Sequence, residues 1–216
     1  MHAQFVLFDG FDPLDAIGPY ETLLAGGGAT GGLLTGEFAT AEGPREVTSG
    51  IGGVTLRATA TVDAERADLI VVPGAAPGDG SGGMVEAVNE RLAAAARSEL
   101  GGRLAAAMRR PGTTVATVCG GSVVLGMAGL LTGRHATTNR MGLADFAATG
   151  AHVIDARVVD DGDLITAGGV SSGIDLALHL LERELGPLVA RAVEDLFGHE
   201  RRGTAWRHHG PVPAWS

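Results

Sequence analysis

The stretch that decides the fold is TTVATVCGGS, residues 113–122. Its first six residues are mostly β-branched and predict a strand, and Gly120 and Gly121 after it predict a sharp turn. The apolar residues from Val123 to Leu131 predict a helix that follows the turn. A side chain on such a strand-to-helix turn points into the crevice at the carboxyl ends of parallel strands. Cys119, the single cysteine of the chain, is therefore the candidate reactive residue.

Apolar runs elsewhere in the chain extend this unit into a sheet. Buried strands are predicted at Gln4–Phe8 and Asp68–Val72, a strand or hairpin within 47–59, and a hairpin within 153–166. The predicted helices lie at Gly18–Leu24, in two stretches of 84–109 broken at Gly101-Gly102, and at Val123–Leu131, Thr138–Ala147, Ile174–Leu185 and Leu188–Phe197. Strands that alternate with helices indicate an α/β fold with a mostly parallel central sheet covered on both faces. We therefore expect a three-layer sandwich of the flavodoxin-like or Rossmann-like type with a cysteine nucleophile elbow.

The length and composition indicate one globular domain. The chain has 216 residues, of which 45% are hydrophobic and 19% charged, and a chain of this size buries a sizeable single core. We place the domain at residues 1–197. The tail at 198–216 is rich in His, Arg, Gly and Pro, and we expect it to be loose or to form a lid or a dimer contact.

Charge and cysteine content exclude several classes of protein. The formal net charge is -9 and the basic residues are scattered, which argues against nucleic acid as a partner because a phosphate backbone requires clustered positive charge. No apolar run reaches the roughly 18 residues that a membrane span needs. A single cysteine forms no internal disulfide, which fits a reducing compartment. We expect a cytoplasmic protein without nucleic-acid or membrane partners.

The position of Cys119 predicts reactivity. The helix that follows offers free N–H groups and the positive end of its dipole, and both favour a thiolate, so we expect a depressed pKa. The alternative is that Cys119 is a small buried core residue, as free cysteines often are. Its place at the end of a strand, just before two glycines, favours the functional interpretation.

These residues resemble the DJ-1/PfpI superfamily, within the class I glutamine amidotransferase-like fold. The resemblance is greatest to the isonitrile hydratase branch and to the sensor domains of AraC-type regulators, and it covers nearly the whole chain. The motifs that carry it are LDAIGPYE at 14–21, IVVPG at 70–74, VCGGS at 118–122, GMAGLLTGR at 126–134, ATT at 136–138, DG at 161–162, TAGG at 166–169 and GIDLAL at 173–178.

The resemblance implies partners for the cysteine. It places the Asp15 carboxylate beside Cys119 as a second catalytic group, whereas the residues alone also allow Asp15 to cap the helix predicted near Gly18. It further implies that the amides of Gly74 and Ala75, with the N–H of Gly120, form an oxyanion-type pocket. A plain Pro-Gly turn is the alternative for Gly74.

Two positions depart from the pattern of the relatives. Asn139 stands where many relatives carry a histidine after the paired threonines, and an amide cannot act as a general base at neutral pH. Asn139 is therefore expected either to hydrogen-bond a polar substrate atom or to serve as a turn or cap residue. Gly120 stands where isonitrile hydratases carry a threonine directly after the cysteine, so the hydroxyl of that threonine is missing.

The resemblance implies an isonitrile hydratase-like hydro-lyase that adds water to an isonitrile, a small electrophilic substrate, and gives an N-substituted formamide. The alternative is a glyoxalase-type or redox- or stress-sensing DJ-1/PfpI protein without isonitrile activity. A cysteine–histidine peptidase is disfavoured by Asn139. No helix-turn-helix pattern follows the domain, so we expect a stand-alone protein. We expect a homodimer by resemblance. We expect no cofactor, and the seven histidines show no metal-type spacing.

Overall fold

The computed structural model describes residues 1–78 and 83–210. Its strands are β1 His2–Val6, β2 Thr35–Thr40, β3 Arg45–Thr48, β4 Thr55–Ala58, β5 Ala60–Thr61, β6 Leu69–Val72, β7 Thr114–Val118, β8 His135–Ala136, β9 His152–Val153, β10 Val158–Asp160, β11 Leu164–Ala167 and β12 Trp206–Arg207. Its helices are α1 Pro13–Ala29, α2 Met84–Arg97, α3 Glu99–Arg109, α4 Gly121–Met127, α5 Leu143–Phe146, α6 Ser172–Leu185 and α7 Pro187–Phe197. Two short 3-10 turns, Arg140–Gly142 and Ala147–Thr149, flank α5.

The central sheet of the described residues has eight strands in the order β12-β10-β11-β7-β6-β1-β2-β5. All neighbouring pairs are parallel except β10 with β11, which form the predicted hairpin. Every residue of β6 and β11 is buried, as expected of strands covered on both faces. Of the strand or hairpin predicted within 47–59, the structure has the hairpin, the antiparallel pair β3–β4, which lies outside the main sheet.

Two apolar cores lie on the two faces of the sheet. One core contains Leu92, Leu104 and Val124 from α2, α3 and α4. The other contains Leu23 from α1 and Leu180 from α6, with α7 packed against α6. The predicted three-layer α/β architecture is therefore confirmed.

Four helix predictions differ from the structure, and one of them is α4, which ends at Met127 rather than at Leu131. Helix α1 begins at Pro13 rather than near Gly18, because the Asp12 side chain accepts a hydrogen bond from the N–H of Leu14 and Pro13 occupies the first turn. The break between α2 and α3 lies at Ser98, whose side chain caps α3. Gly101 and Gly102 lie inside α3. The helix predicted at 138–147 is a 3-10 turn followed by the short α5, Leu143–Phe146.

The segment after Gly198 is attached to the domain as far as the structure describes it. Strand β12 pairs in parallel with β10 at the edge of the sheet, and Arg201 forms ion pairs with Glu182 and Glu194. These contacts attach the segment 199–210 to the domain, where the sequence predicted a loose tail. Residues 211–216 lie outside the described residues. A role for this segment as a lid or a dimer contact stays a prediction.

No helix within the described residues is both long enough and apolar enough to cross a membrane.

Candidate active site

Cys119 ends β7 in a strained turn. Its φ of 55° makes it the only non-glycine residue in the described parts of the chain with a positive φ, a conformation that costs roughly 1–2 kcal/mol for an ordinary residue. Four hydrogen bonds hold it there. Its N–H donates to the carbonyls of Ala167 and Gly168 at 2.9 and 3.0 Å. Its carbonyl accepts from the hydroxyls of Thr138 and Ser122 at 3.0 and 3.2 Å. The elbow predicted from the sequence is therefore built into the end of the sheet.

Two glycines, Gly121 after the cysteine and Gly74 in the loop after β6, are required for lack of space. A side chain on Gly121 would start 2.2 Å from the carbonyl oxygen of Val72. A side chain on Gly74, in the loop after β6, would start 2.7 Å from the Gly120 nitrogen and 2.8 Å from Oδ2 of Asp15. Real Cβ atoms do not approach backbone atoms this closely, so the loop after β6 and the elbow touch backbone to backbone.

Asp15 is buried in the first turn of α1. It is 0% exposed, and its Oδ2 accepts a hydrogen bond of 3.0 Å from the N–H of Gly74. Its Oδ1 has no hydrogen-bond partner among the described residues. Burial, with the nearby charge of Asp12, raises the pKa of Asp15 well above its ordinary value of 3.8. The side chain that caps α1 is that of Asp12, so the structure excludes the capping alternative for Asp15.

Asp15 and Cys119 lie side by side across Gly74. Oδ2 of Asp15 and Cβ of Cys119 are both within 3.2 Å of the point where a Gly74 side chain would begin. Cys119 is only 8% exposed. Burial, followed by the charge of Asp15, raises the pKa of the thiol from 9.0 to about 12.

The prediction of a depressed thiol pKa is therefore wrong. The loss of hydration outweighs the Asn139 and Gly120 N–H groups that favour the thiolate, and α4 behind the elbow is only seven residues long. Burial is the largest of these causes, ahead of the charge of Asp15.

Asn139 contacts the sulfur directly. Its Nδ2 lies 3.2 Å from Sγ of Cys119, and its Oδ1 accepts from the N–H of Met141 at 3.0 Å. The second bond fixes the orientation of the amide, so the NH₂ group faces the thiol. The Asn139 side chain thus serves the predicted turn and also donates a hydrogen bond to the sulfur.

The remaining predicted residues lie around the elbow, but their backbone N–H groups do not all face the thiol. The N–H of Gly74 is engaged with Asp15, whereas the N–H of Gly120 faces the thiol. Ala75 is buried and forms an isolated β-bridge with Phe11. A side chain on Gly120 would begin 2.8 Å from Cδ1 of Leu92, so Leu92 from α2 fills the space beside the cysteine where a threonine side chain would stand.

Sequence reasoning missed the residues that hold the site together. Ser122 and Thr138 anchor the Cys119 carbonyl, and Leu92 covers Gly120. Only Asp12 had a readable signal, because an Asp-Pro pair is typical of a helix start. Within residues 1–78 and 83–210, no group of three or more His, Cys, Asp or Glu side chains is arranged to hold a metal ion.

A strained cysteine at the end of a central parallel strand, followed at once by a helix, defines an α/β protein with a nucleophile elbow. The sequence model of the DJ-1/PfpI family matches residues 1–183. The chain belongs to the DJ-1/PfpI family.

Individual relatives agree with this assignment. The chain is 36% identical over 191 residues to an isonitrile hydratase of Pseudomonas putida, covering 88% of this chain and 75% of that protein. Its fold is similar to that of a THiJ/PfpI family protein from Pseudomonas syringae, with a TM-score of 0.74, 24% identity and coverage of 94% of this chain and 76% of that one. An AraC family transcriptional regulator from Pseudomonas putida matches with a TM-score of 0.70, 21% identity and coverage of 91% and 98%.

Proposed function

We propose that the protein is an isonitrile hydratase-like enzyme that adds water to an isonitrile and releases an N-substituted formamide. The observation that carries the proposal is the Asp15 carboxyl, buried beside Cys119 with one oxygen unpartnered among the described residues. The isonitrile hydratase of Pseudomonas putida, at 36% identity, supports this choice of substrate class.

The first step uses Asp15 as an acid and Cys119 as a nucleophile. The terminal carbon of an isonitrile carries a lone pair, and it becomes electrophilic once a proton is added. Asp15 gives its proton to this carbon, the sulfur of Cys119 forms a bond to the same carbon, and the thiol proton replaces the one that Asp15 has lost. The product is a thioimidate, R–N=CH–S, attached to Cys119. A raised pKa suits Asp15 to this step because it retains a proton above the ordinary pKa of a carboxyl.

The second step releases the product. Water adds to the thioimidate carbon while a proton goes to the nitrogen, and the carbon–sulfur bond then breaks as the new hydroxyl loses its proton to the sulfur. The result is R–NH–CHO and a free thiol, so one isonitrile and one water give one formamide. The N–H of Gly120 and the amide of Asn139 face the sulfur and stabilise the charge it gains as it leaves. A contribution from the Ala75 N–H is part of the same proposal.

The test is turnover of cyclohexyl isocyanide, followed by NMR detection of N-cyclohexylformamide. We expect turnover by the wild type and none above background by Cys119→Ala, with the two proteins melting at similar temperatures. Met127→Ala, which removes a half-exposed sulfur-containing side chain, is the matched control and should remain active. No turnover by the wild type would sink the hydratase proposal.

The alternative is a glyoxalase-type or redox-sensing protein with the same cysteine. Peroxide oxidises thiolate rather than thiol, so the raised pKa of Cys119 favours the hydratase. Peroxide treatment followed by intact-mass measurement separates the two. Fast stoichiometric oxidation without turnover of any small electrophile would favour the sensor. A homodimer and a cytoplasmic location remain part of the proposal, and light scattering on the purified protein tests the first.

A further inference from the structure

A cavity of about 430 Å³ adjoins the candidate active site. Asn139, whose amide contacts Sγ of Cys119, forms part of its wall. The polar residues that also line it are Thr138, Arg140, Asp155, Arg157 and Ser171. Its size is that of a site for a small molecule. The reaction proposed above assigns no role to any of the residues beyond Asn139.

Arg157 is the side chain that gives this cavity a chemical preference. Its side chain is 24% exposed, its Nε donates to Oδ2 of Asp175 at 2.5 Å, and its Nη2 donates to Oγ of Ser171 at 3.1 Å. Its Nη1 has no hydrogen-bond partner among the described residues. One end of a fixed guanidinium is therefore left to donate to something in the cavity.

The charges around the cavity favour an anion. Its lining has two arginines and one carboxylate, Asp155, and that carboxylate lies 3.4 Å from Arg140 at the surface. Asp175 does not line the cavity, and its other oxygen accepts from His199 at 3.2 Å and from the N–H of Arg202 at 3.1 Å. Asp175 balances the charge of Arg157 but lies outside the cavity, so the cavity presents the N–H groups of Arg157 and not the carboxylate that pairs with it.

We propose that this cavity binds a small aliphatic carboxylate. The carboxylate accepts hydrogen bonds from Nη1 of Arg157 and from the hydroxyl of Ser171, and a short alkyl chain packs against Leu143 and Ala156. Because Asn139 lines the cavity and also contacts the sulfur, the same proposal holds that a bound ligand packs against Asn139 and restricts access to Cys119. Binding of a free carboxylate does not require that the protein hydrate isonitriles.

The test measures protection of Cys119, the only cysteine, from alkylation by iodoacetamide. Sodium butyrate is compared with butyramide, which has the same shape without the charge. We expect butyrate to slow alkylation at concentrations about tenfold lower than butyramide, the size of effect that one charge-assisted hydrogen bond supplies. Equal protection by the two compounds would overturn the proposal without any variant being needed.

Two variants locate the effect at Arg157. Arg157→Gln should abolish the difference between butyrate and butyramide. Since that change leaves Asp175 without its cation and the protein could fail to fold, Arg157→Lys is made in parallel. It keeps a charge beside Asp175 but lacks the second arm of the guanidinium, so the difference should fall markedly. Arg191→Gln, on an exposed side chain of α7, is the control and should protect like the wild type. Undiminished preference for butyrate in a folded Arg157 variant would contradict the proposal.

The carboxylate has two possible sources, the substrate itself or a separate small acid. If it belongs to the substrate, 4-isocyanobutanoate should show a lower KM than pentyl isocyanide, and butyrate should compete with it. If it is a separate ligand, butyrate should change the turnover of both isonitriles equally. If neither isonitrile is turned over, the hydratase proposal fails, while the alkylation experiment still decides whether the cavity binds a carboxylate.

Discussion

Asp15 and Asp160 are both buried carboxyls, and their surroundings differ in one respect. Among the described residues, Asp15 has an amide and a thiol around it and no cation, so burial raises its pKa. Burial alone would also raise the pKa of Asp160, but hydrogen bonds from His179, the N–H of Gly162 and Arg207 outweigh it and lower the pKa. Burial without a cation makes a carboxyl an acid that retains its proton, whereas burial among cations makes it a fixed negative charge that holds structure together.

The largest expected effect is the loss of activity in Asp15→Asn. The amide keeps the hydrogen bond from the N–H of Gly74 and replaces a protonated carboxyl of the same shape, but it has no proton to give. We expect turnover of cyclohexyl isocyanide to fall by about 10²–10⁴-fold and the free energy of unfolding at pH 3, where the carboxyl is protonated in both states, to change by less than about 1 kcal/mol. Asp9→Asn, which alters an exposed carboxylate, serves as the control. An active Asp15→Asn protein would remove Asp15 from the mechanism.

The opposite pattern is expected of Asp160→Asn. Asp160 accepts from Nε2 of His179 at 2.7 Å and lies 2.8 Å from Nη2 of Arg207, and it joins α6 and β12 to the edge of the sheet. Removing its charge leaves Arg207 without its buried counter-ion, so we expect a loss of about 3 kcal/mol in urea unfolding at pH 7, with turnover per folded molecule nearly unchanged.

The control for this change is Asp195→Asn, which breaks an exposed pair with Arg191 and should cost less than about 1 kcal/mol. If the two substitutions cost the same, Asp160 does not anchor the C-terminal segment.

The sequence predicts a region well when the residues that determine it lie close together along the chain. The elbow was predictable because residues 113–122 contain a strand, a cysteine and two glycines in immediate succession. The place of Asp15 came from the resemblance to a family, and the Asp12-Pro13 cap that orients it was readable locally but overlooked. The contacts of Asn139 with Cys119 and of His179 with Asp160 join residues about twenty positions apart, and local patterns carry no information about them.

The pKa of Cys119 shows the same limit. The helix after the cysteine is visible in the sequence, and its dipole predicted a lower pKa. The burial that raises the pKa instead is a property of the assembled fold, in which the elbow lies beneath other elements: Leu92 of α2 covers Gly120, and Asp15 of α1 approaches from the other side. Local residues therefore indicated the candidate reactive atom, while the tertiary packing determines its protonation.

The smallest expected effect is on the pH dependence of stability, where the two carboxyls should act in opposite directions. The folded protein holds the Asp15 proton more tightly than the unfolded chain does, so stability falls as pH rises from the ordinary value of 3.8 towards the raised pKa, with a slope of at most about 1.4 kcal/mol per pH unit. Asp160, whose folded pKa is lowered, contributes stability above the ordinary value that is lost only as pH falls below it. The free energy of unfolding in urea should be measured between pH 3 and pH 7. That of Asp15→Asn should rise relative to the wild type as pH rises above about 4. The difference by which Asp160→Asn is less stable than the wild type should shrink as pH falls below about 4. Parallel curves for the wild type and Asp15→Asn would mean that Asp15 is ionised in the folded protein, and the acid step of the proposed reaction would then lack its proton.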